Sequence, residues 1–167
     1  MIDAFNYYLP TRIIFGRGKL GELGNTASEL GKTALLVSVS DFPGGIENLN
    51  KSVAFMESSG MTVVHFDGVI PNPTTEVVSA GAKIARENNV DVVVGIGGGS
   101  SMDTAKAIAV EAAHEGTAWD YLFYKKEPTS ATLPVVLVPT TSGTGSHVTQ
   151  CAVVTKSEDE DKSALWH

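Results

Sequence analysis

Short apolar runs alternate along the chain with longer stretches whose apolar positions recur at helical spacing. The runs are rich in β-branched residues, which predicts strands at residues 11–15, 33–39, 62–66, 90–96 and 133–138, with a weaker sixth at 151–155. The runs Val92–Val94 and Val135–Val138 are continuously apolar. Strands that are buried on both faces have this pattern, which is typical of a parallel sheet covered by helices.

Four amphipathic helices are predicted between these strands, at residues 20–30, 46–59, 74–89 and 100–115. Thr74 or Thr75 is suited to cap the third helix, and Gly31 is suited to end the first. Because strands and helices alternate over the whole length, we expect a Rossmann-like α/β fold. Its sheet should be mostly parallel, with helices on both faces, in one domain over residues 1–167.

Composition narrows the classes of function. With 19 acidic residues against 12 basic ones the net charge is −7, which argues against nucleic acid as a partner. The single cysteine, Cys151, leaves no internal disulfide and suits a reducing compartment. The N-terminus resembles no secretion signal, and no apolar run approaches the roughly 20 residues of a membrane helix. We therefore expect a cytoplasmic protein without a membrane partner.

The most informative motif is Gly97-Gly98-Gly99-Ser100, which follows a buried-type strand and opens the strongest predicted helix. Glycines let backbone amides approach an anion closely, and a helix N-terminus favours phosphate. Ser100 is placed to be the N-cap, and Asp103 is placed to reach back as in a capping box. Asp103 and Lys106 have the spacing of an i, i+3 ion pair. The alternative is an ordinary glycine-rich turn with a cap.

A second loop, Pro139–His147, follows the apolar strand that ends at Val138 and is rich in glycines and hydroxyls. Ligands of open α/β sheets bind at the carboxyl ends of the strands. Two loops of this kind in one domain suit a ligand with two phosphates, and therefore a dinucleotide.

A competing motif is Gly16–Gly21, which matches the G-x-G-x-x-G pattern, with Asp41 standing 20 residues past Gly21. An ordinary Rossmann domain that uses this loop is therefore an open alternative. The strand predicted before it is short and interrupted by polar residues, so we favour the Gly97 loop.

Four stretches together resemble the N-terminal half of the iron-containing alcohol dehydrogenase family, whose relatives include glycerol dehydrogenase and dehydroquinate synthase. They are Phe15–Gly18, Pro71–Thr74, Gly97–Ser100 with Asp103 and Lys106, and Pro139–Thr141 through Gly145–Ser146. The resemblance implies an α/β dinucleotide-binding domain, followed in the family by an all-helical domain that we expect to be absent here. It also implies an oxidoreductase that uses NAD or NADP to transfer hydride between an alcohol and an aldehyde or ketone.

By the same resemblance, the Gly97–Ser100 loop should hold the pyrophosphate, and Asn72 and Lys162 should lie close to the cofactor. The other cofactor-binding residues that it implies are Asp103, Thr140, Thr141, Ser142 and Thr144. The family position that selects NAD over NADP matches Val39, with Asp41 two residues later, so the choice between the two cofactors stays open.

The family binds iron, or another divalent metal, through an aspartate and three histidines of the helical domain. We therefore expect the metal only in a complete enzyme, and no metal site here, because His65, His114, His147 and His167 lack ligand spacing. His147 replaces a glutamate that is usual in the family, and we favour a tolerated surface substitution over an effect on the cofactor cleft.

Family members usually self-associate, which implies a homo-oligomer. The other macromolecular partner that the resemblance implies is a missing C-terminal half. A truncated, non-catalytic nucleotide-binding module remains the alternative function.

Overall fold

The computed structural model describes residue 4 and residues 8–40, 45–122, 125–158 and 160–166. Four parallel strands form its main sheet, in the spatial order β2–β1–β3–β4. The strands are β1 (Thr33–Val39), β2 (Thr62–Val69), β3 (Val92–Gly97) and β4 (Val135–Pro139). The helices are α1 (Leu23–Ser28), α2 (Gly45–Ser58), α3 (Thr75–Glu87) and α4 (Gly99–Ala113), and a 3-10 turn at Lys19–Glu22 leads into α1. The predicted Rossmann-like α/β fold is confirmed.

Helices cover both faces of the sheet. Because successive side chains of a strand point to opposite faces, each strand packs against both layers of helices. Leu35 and Val37 of β1 pack in the cluster formed with α3 and α4, whereas Ala34 and Leu36 pack in the cluster formed with α1 and α2. All four of these side chains are fully buried. Double burial explains the continuously apolar run of β3, where every residue is buried, whereas Val135–Val138 of β4 are only half-buried.

The order of the strands defines where a ligand can bind. The chain runs from β1 to β2 on one side, and then crosses to β3 on the other side of β1. This order places the switch point of the sheet between the carboxyl ends of β1 and β3, and ligands of such sheets usually bind at the carboxyl edge near that point. Val39 ends β1 at this edge, while Asp41 lies outside the described residues.

Of the strand predictions nearest the two ends of the chain, one is wrong and the other is confirmed. Residues 11–15 form no strand, and the side chains of Ile13 and Phe15 are 59% and 92% exposed. The β-branched run there has no neighbouring strand in the described part of the chain, and a strand is stable only when it is paired. The run at 151–155 does form a strand, β5 (Cys151–Lys156), but it lies outside the parallel sheet.

The partner of β5 is a strand that the sequence pattern did not predict, β6 (Asp161–Trp166). The two form an antiparallel hairpin, which packs against α4 through Ala152, Leu165 and Val110. The turn between β5 and β6 carries an acidic run at residues 158–161. Glu158 and Glu160 are exposed in the turn, but Asp161 already pairs with Lys156.

The start of β3 is held to β1 by a carboxylate, and this link should make folding stability depend on pH. Asp91 Oδ2 accepts hydrogen bonds from the backbone N–H groups of Lys32 (2.8 Å) and Thr33 (2.9 Å). These bonds favour the ionised form and lower the pKa of Asp91. The ionised carboxylate of Asp91 therefore stabilises the folded protein above the pKa that the group has in the unfolded chain, about 4. This stabilisation is lost as the pH falls through the lower pKa of the folded state.

We expect Asp91→Asn to destabilise the protein at pH 7, because the amide keeps the shape of the carboxylate but loses its charge. The difference from the wild-type protein should shrink as the pH is lowered below 4. Urea denaturation of both proteins between pH 7 and pH 3 measures this difference. If the difference in free energy of unfolding between the two proteins is independent of pH, the charge of Asp91 contributes nothing to stability.

Candidate functional site

The N-terminus of α4 lies at the carboxyl end of β3, and its first turn has no side-chain cap. Gly98 is the N-cap residue and α4 begins at Gly99, so the predictions of Ser100 as N-cap and of Asp103 as its capping-box partner are wrong. The helix begins at Gly99, one residue before Ser100, which places Ser100 inside the first turn. The backbone N–H groups of this turn and the positive end of the helix dipole therefore remain free to bind an anion.

The two loops that the sequence singled out contact each other. The N–H of Thr140 donates to the carbonyl of Gly97 at 2.9 Å. A Cβ added at Gly98 would lie 3.3 Å from Thr141 Oγ1, and one at Gly99 would lie 3.4 Å from Thr144 Cγ2. A side chain on either glycine would therefore fill the space between the loops. Ser142 is exposed on the same loop.

Gly97 itself is required by the backbone. Its φ is +142°, and a Cβ there would lie 2.4 Å from Ser101 Oγ. Residues other than glycine rarely adopt this conformation, so the turn out of β3 depends on a glycine at this position.

Asn72 and Lys162, the two residues that the resemblance places near the cofactor, contact each other. Lys162 Nζ donates to Asn72 Oδ1 at 2.7 Å, and Asn72 adopts a left-handed φ of +54°, which asparagine tolerates. The N–H of Thr155 also donates to the carbonyl of Pro73 at 2.8 Å. The hairpin is thus bound to the loop that follows β2, at the same edge of the sheet as the glycine loop.

The predicted pair of Asp103 and Lys106 is confirmed, with Nζ and Oδ1 3.2 Å apart and side chains that are 15% and 14% exposed. Asp103 accepts from Ser146 Oγ at 2.7 Å and from the N–H of Val153 at 3.2 Å. Lys106 Nζ donates to the backbone carbonyls of Ser146 (2.9 Å) and Cys151. Burial lowers the pKa of Lys106, and Asp103 opposes this effect. The pair therefore fastens the second loop and β5 to α4.

This fastening role was not predicted from the sequence. Its signal is that Asp103 and Lys106 interrupt a helix whose other inward positions, such as Met102, Ala105 and Ala109, are apolar and fully buried. Charged residues in such a position are rarely buried without a partner.

His147 is not the surface substitution that we expected. The residue is half-buried, and its Nδ1 is buried without a hydrogen-bond partner among the described residues. The imidazole lines a groove beside β4 rather than open solvent.

The remaining candidate groups have structural partners. His65 Nε2 lies 2.8 Å from Ser38 Oγ, and His114 Nε2 accepts from the N–H of Thr129 at 2.9 Å. Burial raises the pKa of the Cys151 thiol, with Asp103 adding to the effect, which disfavours a nucleophilic thiolate.

No metal site and no membrane span are found within the described ranges. No three His, Cys, Asp or Glu residues there are grouped to hold a metal ion, and none of the helices has the length and apolar character of a membrane span. His167 lies outside those ranges.

The Gly16–Gly21 motif has the geometry of a turn. No strand precedes it in the described part of the chain, so it does not lie at the carboxyl end of a sheet strand. Gly18 has a φ of +76° and precedes the 3-10 turn that leads into α1. A dinucleotide site of the ordinary Rossmann kind at this loop is therefore contradicted.

Comparison with known proteins gives a consistent result. A family model described as iron-containing alcohol dehydrogenase matches residues 10–167. NADH-dependent butanol dehydrogenase A of Clostridium acetobutylicum is 35% identical over 170 residues, which cover 98% of this chain and 42% of that protein.

Solved structures agree with the sequence comparison. An archaeal halo-thermophilic alcohol dehydrogenase from a Red Sea brine pool superposes with a TM-score of 0.93 at 40% identity, over 98% of this chain and 43% of its own. Sulfoacetaldehyde reductase from Bifidobacterium kashiwanohense, in complex with NAD+, has a TM-score of 0.82 at 30% identity, over 98% of this chain and 43% of its own. The chain thus spans less than half the length of these proteins.

Proposed function

We propose, since the chain belongs to the iron-containing alcohol dehydrogenase family, that it binds and orients NAD(H) or NADP(H) for hydride transfer between an alcohol and an aldehyde or ketone. The observation that carries the proposal is the uncapped N-terminus of α4, which opens onto the second loop at the carboxyl ends of β3 and β4. The cradle between the loops would be filled by a single Cβ at Gly98.

Each loop contributes a different group to binding. Backbone N–H groups of Gly99 and Ser100, together with the helix dipole, favour the phosphates. The hydroxyls of the second loop, on Thr140, Thr141, Ser142 and Thr144, supply further donors. Asn72 and Lys162 add an amide and a positive charge at the same edge of the sheet. The nicotinamide ring supplies or accepts the hydride when the dinucleotide is bound.

Asp103 has a different place in the proposal. Its carboxylate is directed at Ser146 and Val153, so we assign it to positioning the second loop. Asp41 is the candidate for the ribose hydroxyls, and a carboxylate there would disfavour the 2′-phosphate of NADP.

The activity of a complete enzyme requires more than this chain. We propose that a small alcohol or aldehyde is the substrate, and that iron or another divalent metal is bound by the portion of the family's length that this chain does not match. Relatives named as NADH-dependent butanol dehydrogenases support the substrate class. The single cysteine supports a cytoplasmic location.

Gly98→Val is expected to weaken NADH binding by at least about 100-fold. The isopropyl group would occupy the cradle and displace at least two charge-assisted hydrogen bonds, each worth about 1.5–3 kcal/mol. Calorimetric titration of both proteins with NADH and NADPH gives the affinities. Gly21→Ala is the matched control, because a Cβ there has only an ordinary contact, 3.9 Å from Phe55.

An affinity for NADH that falls in Gly21→Ala but is unchanged in Gly98→Val would contradict the assignment of the site.

The alternative function, a non-catalytic nucleotide-binding module, is favoured by the lack of a metal-binding group in the described ranges. It predicts the same titration result without alcohol oxidation when iron and NAD are supplied. Turnover by the chain alone would exclude it.

A further inference from the structure

His114 joins the end of α4 to the segment that leads from α4 into β4. Its Nδ1 lies 2.8 Å from the backbone carbonyl oxygen of Val110, one turn earlier in the helix. Its Nε2 lies 2.9 Å from the backbone nitrogen of Thr129, which belongs to the connecting segment. The imidazole is half-buried and packs against the ring of Tyr121, with ring centroids 5.4 Å apart. Two backbone groups thus hold the imidazole from opposite sides.

These two backbone groups determine which nitrogen of the imidazole carries a proton. A carbonyl oxygen only accepts a hydrogen bond, and a backbone N–H only donates one. Nδ1 must therefore carry the hydrogen that it donates to Val110, and Nε2 must be the unprotonated nitrogen that accepts from Thr129. Only the neutral imidazole with its hydrogen on Nδ1 makes both bonds.

Protonation of the imidazole would place two donors against each other. The charged ring carries a hydrogen on both nitrogens, so Nε2–H and the N–H of Thr129 would meet across 2.9 Å. The hydroxyl of Thr129 lies 3.1 Å from Nε2 and can accept from the charged ring. The backbone N–H must then turn aside, because it has no acceptor left on the imidazole.

His65 has an arrangement that tolerates a proton. Ser38 Oγ donates to the carbonyl of Val39 at 3.0 Å and lies 2.8 Å from His65 Nε2, so this nitrogen donates to the hydroxyl. The neutral ring with its hydrogen on Nε2 and the charged ring both supply that donor. His65 can therefore take up a proton without losing its partner, whereas His114 cannot.

No carboxylate is bonded to the imidazole of His114 in the described part of the chain. The carboxylate of Glu111 accepts from the N–H of Ala118 at 2.7 Å, and that of Asp120 accepts from the N–H of Thr117 at 2.8 Å. The remaining charged groups around this end of α4 are Glu115, which follows His114, Arg86 of α3, which donates to the carbonyls of Glu111 and Ala112, and Lys125, Lys126 and Glu127 of the connecting segment.

We propose that His114 is a pH-sensitive latch on the segment between α4 and β4, closed when its imidazole is neutral and opened when the imidazole takes up a proton. Histidine is the side chain whose charge ordinarily changes between about pH 5 and pH 8. Opening frees the turn Thr129–Thr132 from the end of α4. β4 stays in the sheet, since the N–H of Val93 donates to the carbonyl of Pro134 at 3.0 Å.

Hydrogen exchange of the wild-type chain, followed by NMR between about pH 8 and pH 5, tests the latch directly. As the imidazole of His114 takes up its proton, the amide of Thr129 should lose about 10-fold of its protection, measured against the unstructured chain at the same pH. The amide of Val93 is the internal control and should keep its protection.

His114→Gln and His65→Gln form a matched pair of variants. The closed latch excludes a proton that the unfolded chain binds, so the wild-type protein should lose stability as the pH falls through this range. Glutamine cannot take up a proton, and the free energy of unfolding of His114→Gln should therefore fall less. His65→Gln should keep the pH dependence of the wild-type protein. Urea denaturation across the pH range gives all three curves.

Three results would overturn the proposal. Unchanged protection of Thr129 while the imidazole of His114 is titrated would show that the bond does not require the neutral ring. Protection lost at Thr129 and Val93 together would show that acid opens the sheet rather than the latch. The same pH dependence in His114→Gln and the wild-type protein would also contradict it. If His114→Gln does not fold, the exchange measurement on the wild-type chain decides by itself.

Discussion

Asp103→Ala is expected to lower the free energy of unfolding by about 2–3 kcal/mol. Breaking a fully buried ion pair costs about 3–5 kcal/mol, and the value here is smaller because both side chains keep some contact with solvent. The substitution removes the acceptor of Ser146 Oγ and of the Val153 N–H, and leaves the charge of Lys106 without its partner. Chemical denaturation monitored by circular dichroism gives the value.

Glu47→Ala is the matched control for this prediction. It removes one member of the ion pair between Glu47 and Lys51, whose side chains are 75% and 51% exposed. Exposed pairs contribute about 0–1 kcal/mol, so the control should barely change the free energy of unfolding. Equal losses in the two variants would contradict the role that we assign to Asp103 in holding the second loop.

Gly24→Ala is expected to cost about 3 kcal/mol, although alanine is the better helix former. A Cβ at Gly24 would lie 2.0 Å from the backbone oxygen of Phe55 and 2.4 Å from Ser59 Oγ. The backbone of α2 would have to move away from α1 to make room, and overpacking of this kind costs about 1–3 kcal/mol. Thermal and urea denaturation measure the loss.

Gly21→Ala provides the comparison, since it adds the same methyl group three residues earlier. The nearest atom to a Cβ there is Phe55 Cζ at 3.9 Å, and Gly21 has no positive φ. Its stability should equal or slightly exceed that of the wild-type protein. A tolerated Gly24→Ala would mean that α1 and α2 do not pack as closely as described.

The sequence predicted the sheet and its helices well, because these elements follow from local periodicity. β1 has the predicted bounds of residues 33–39, and α2 differs from its predicted range by one residue at each end. The glycine loop was also predicted, since a strand, three glycines and a helix are consecutive. The details of the cap were not, because whether Gly98 or Ser100 begins α4 depends on the backbone path out of β3.

Features that depend on distant partners were predicted less well. Residues 11–15 have a strand-like composition but no paired neighbour among the described residues, whereas β6 has a polar beginning and forms because β5 lies beside it. The inward position of His147 depends on the 3-10 turn at Ser146–Val148. In each case the decisive contact joins residues that local periodicity does not connect.

The central claim is that a dinucleotide binds between the two loops at the carboxyl ends of β3 and β4. Its most direct test is an NMR titration of the ¹⁵N-labelled chain with NADH, which reports each backbone amide separately. The largest shift changes should occur at Gly99, Ser100 and Thr140, with the amides of Gly16–Gly21 unchanged. Changes concentrated at Gly16–Gly21, or no saturable change at any amide, would contradict the claim.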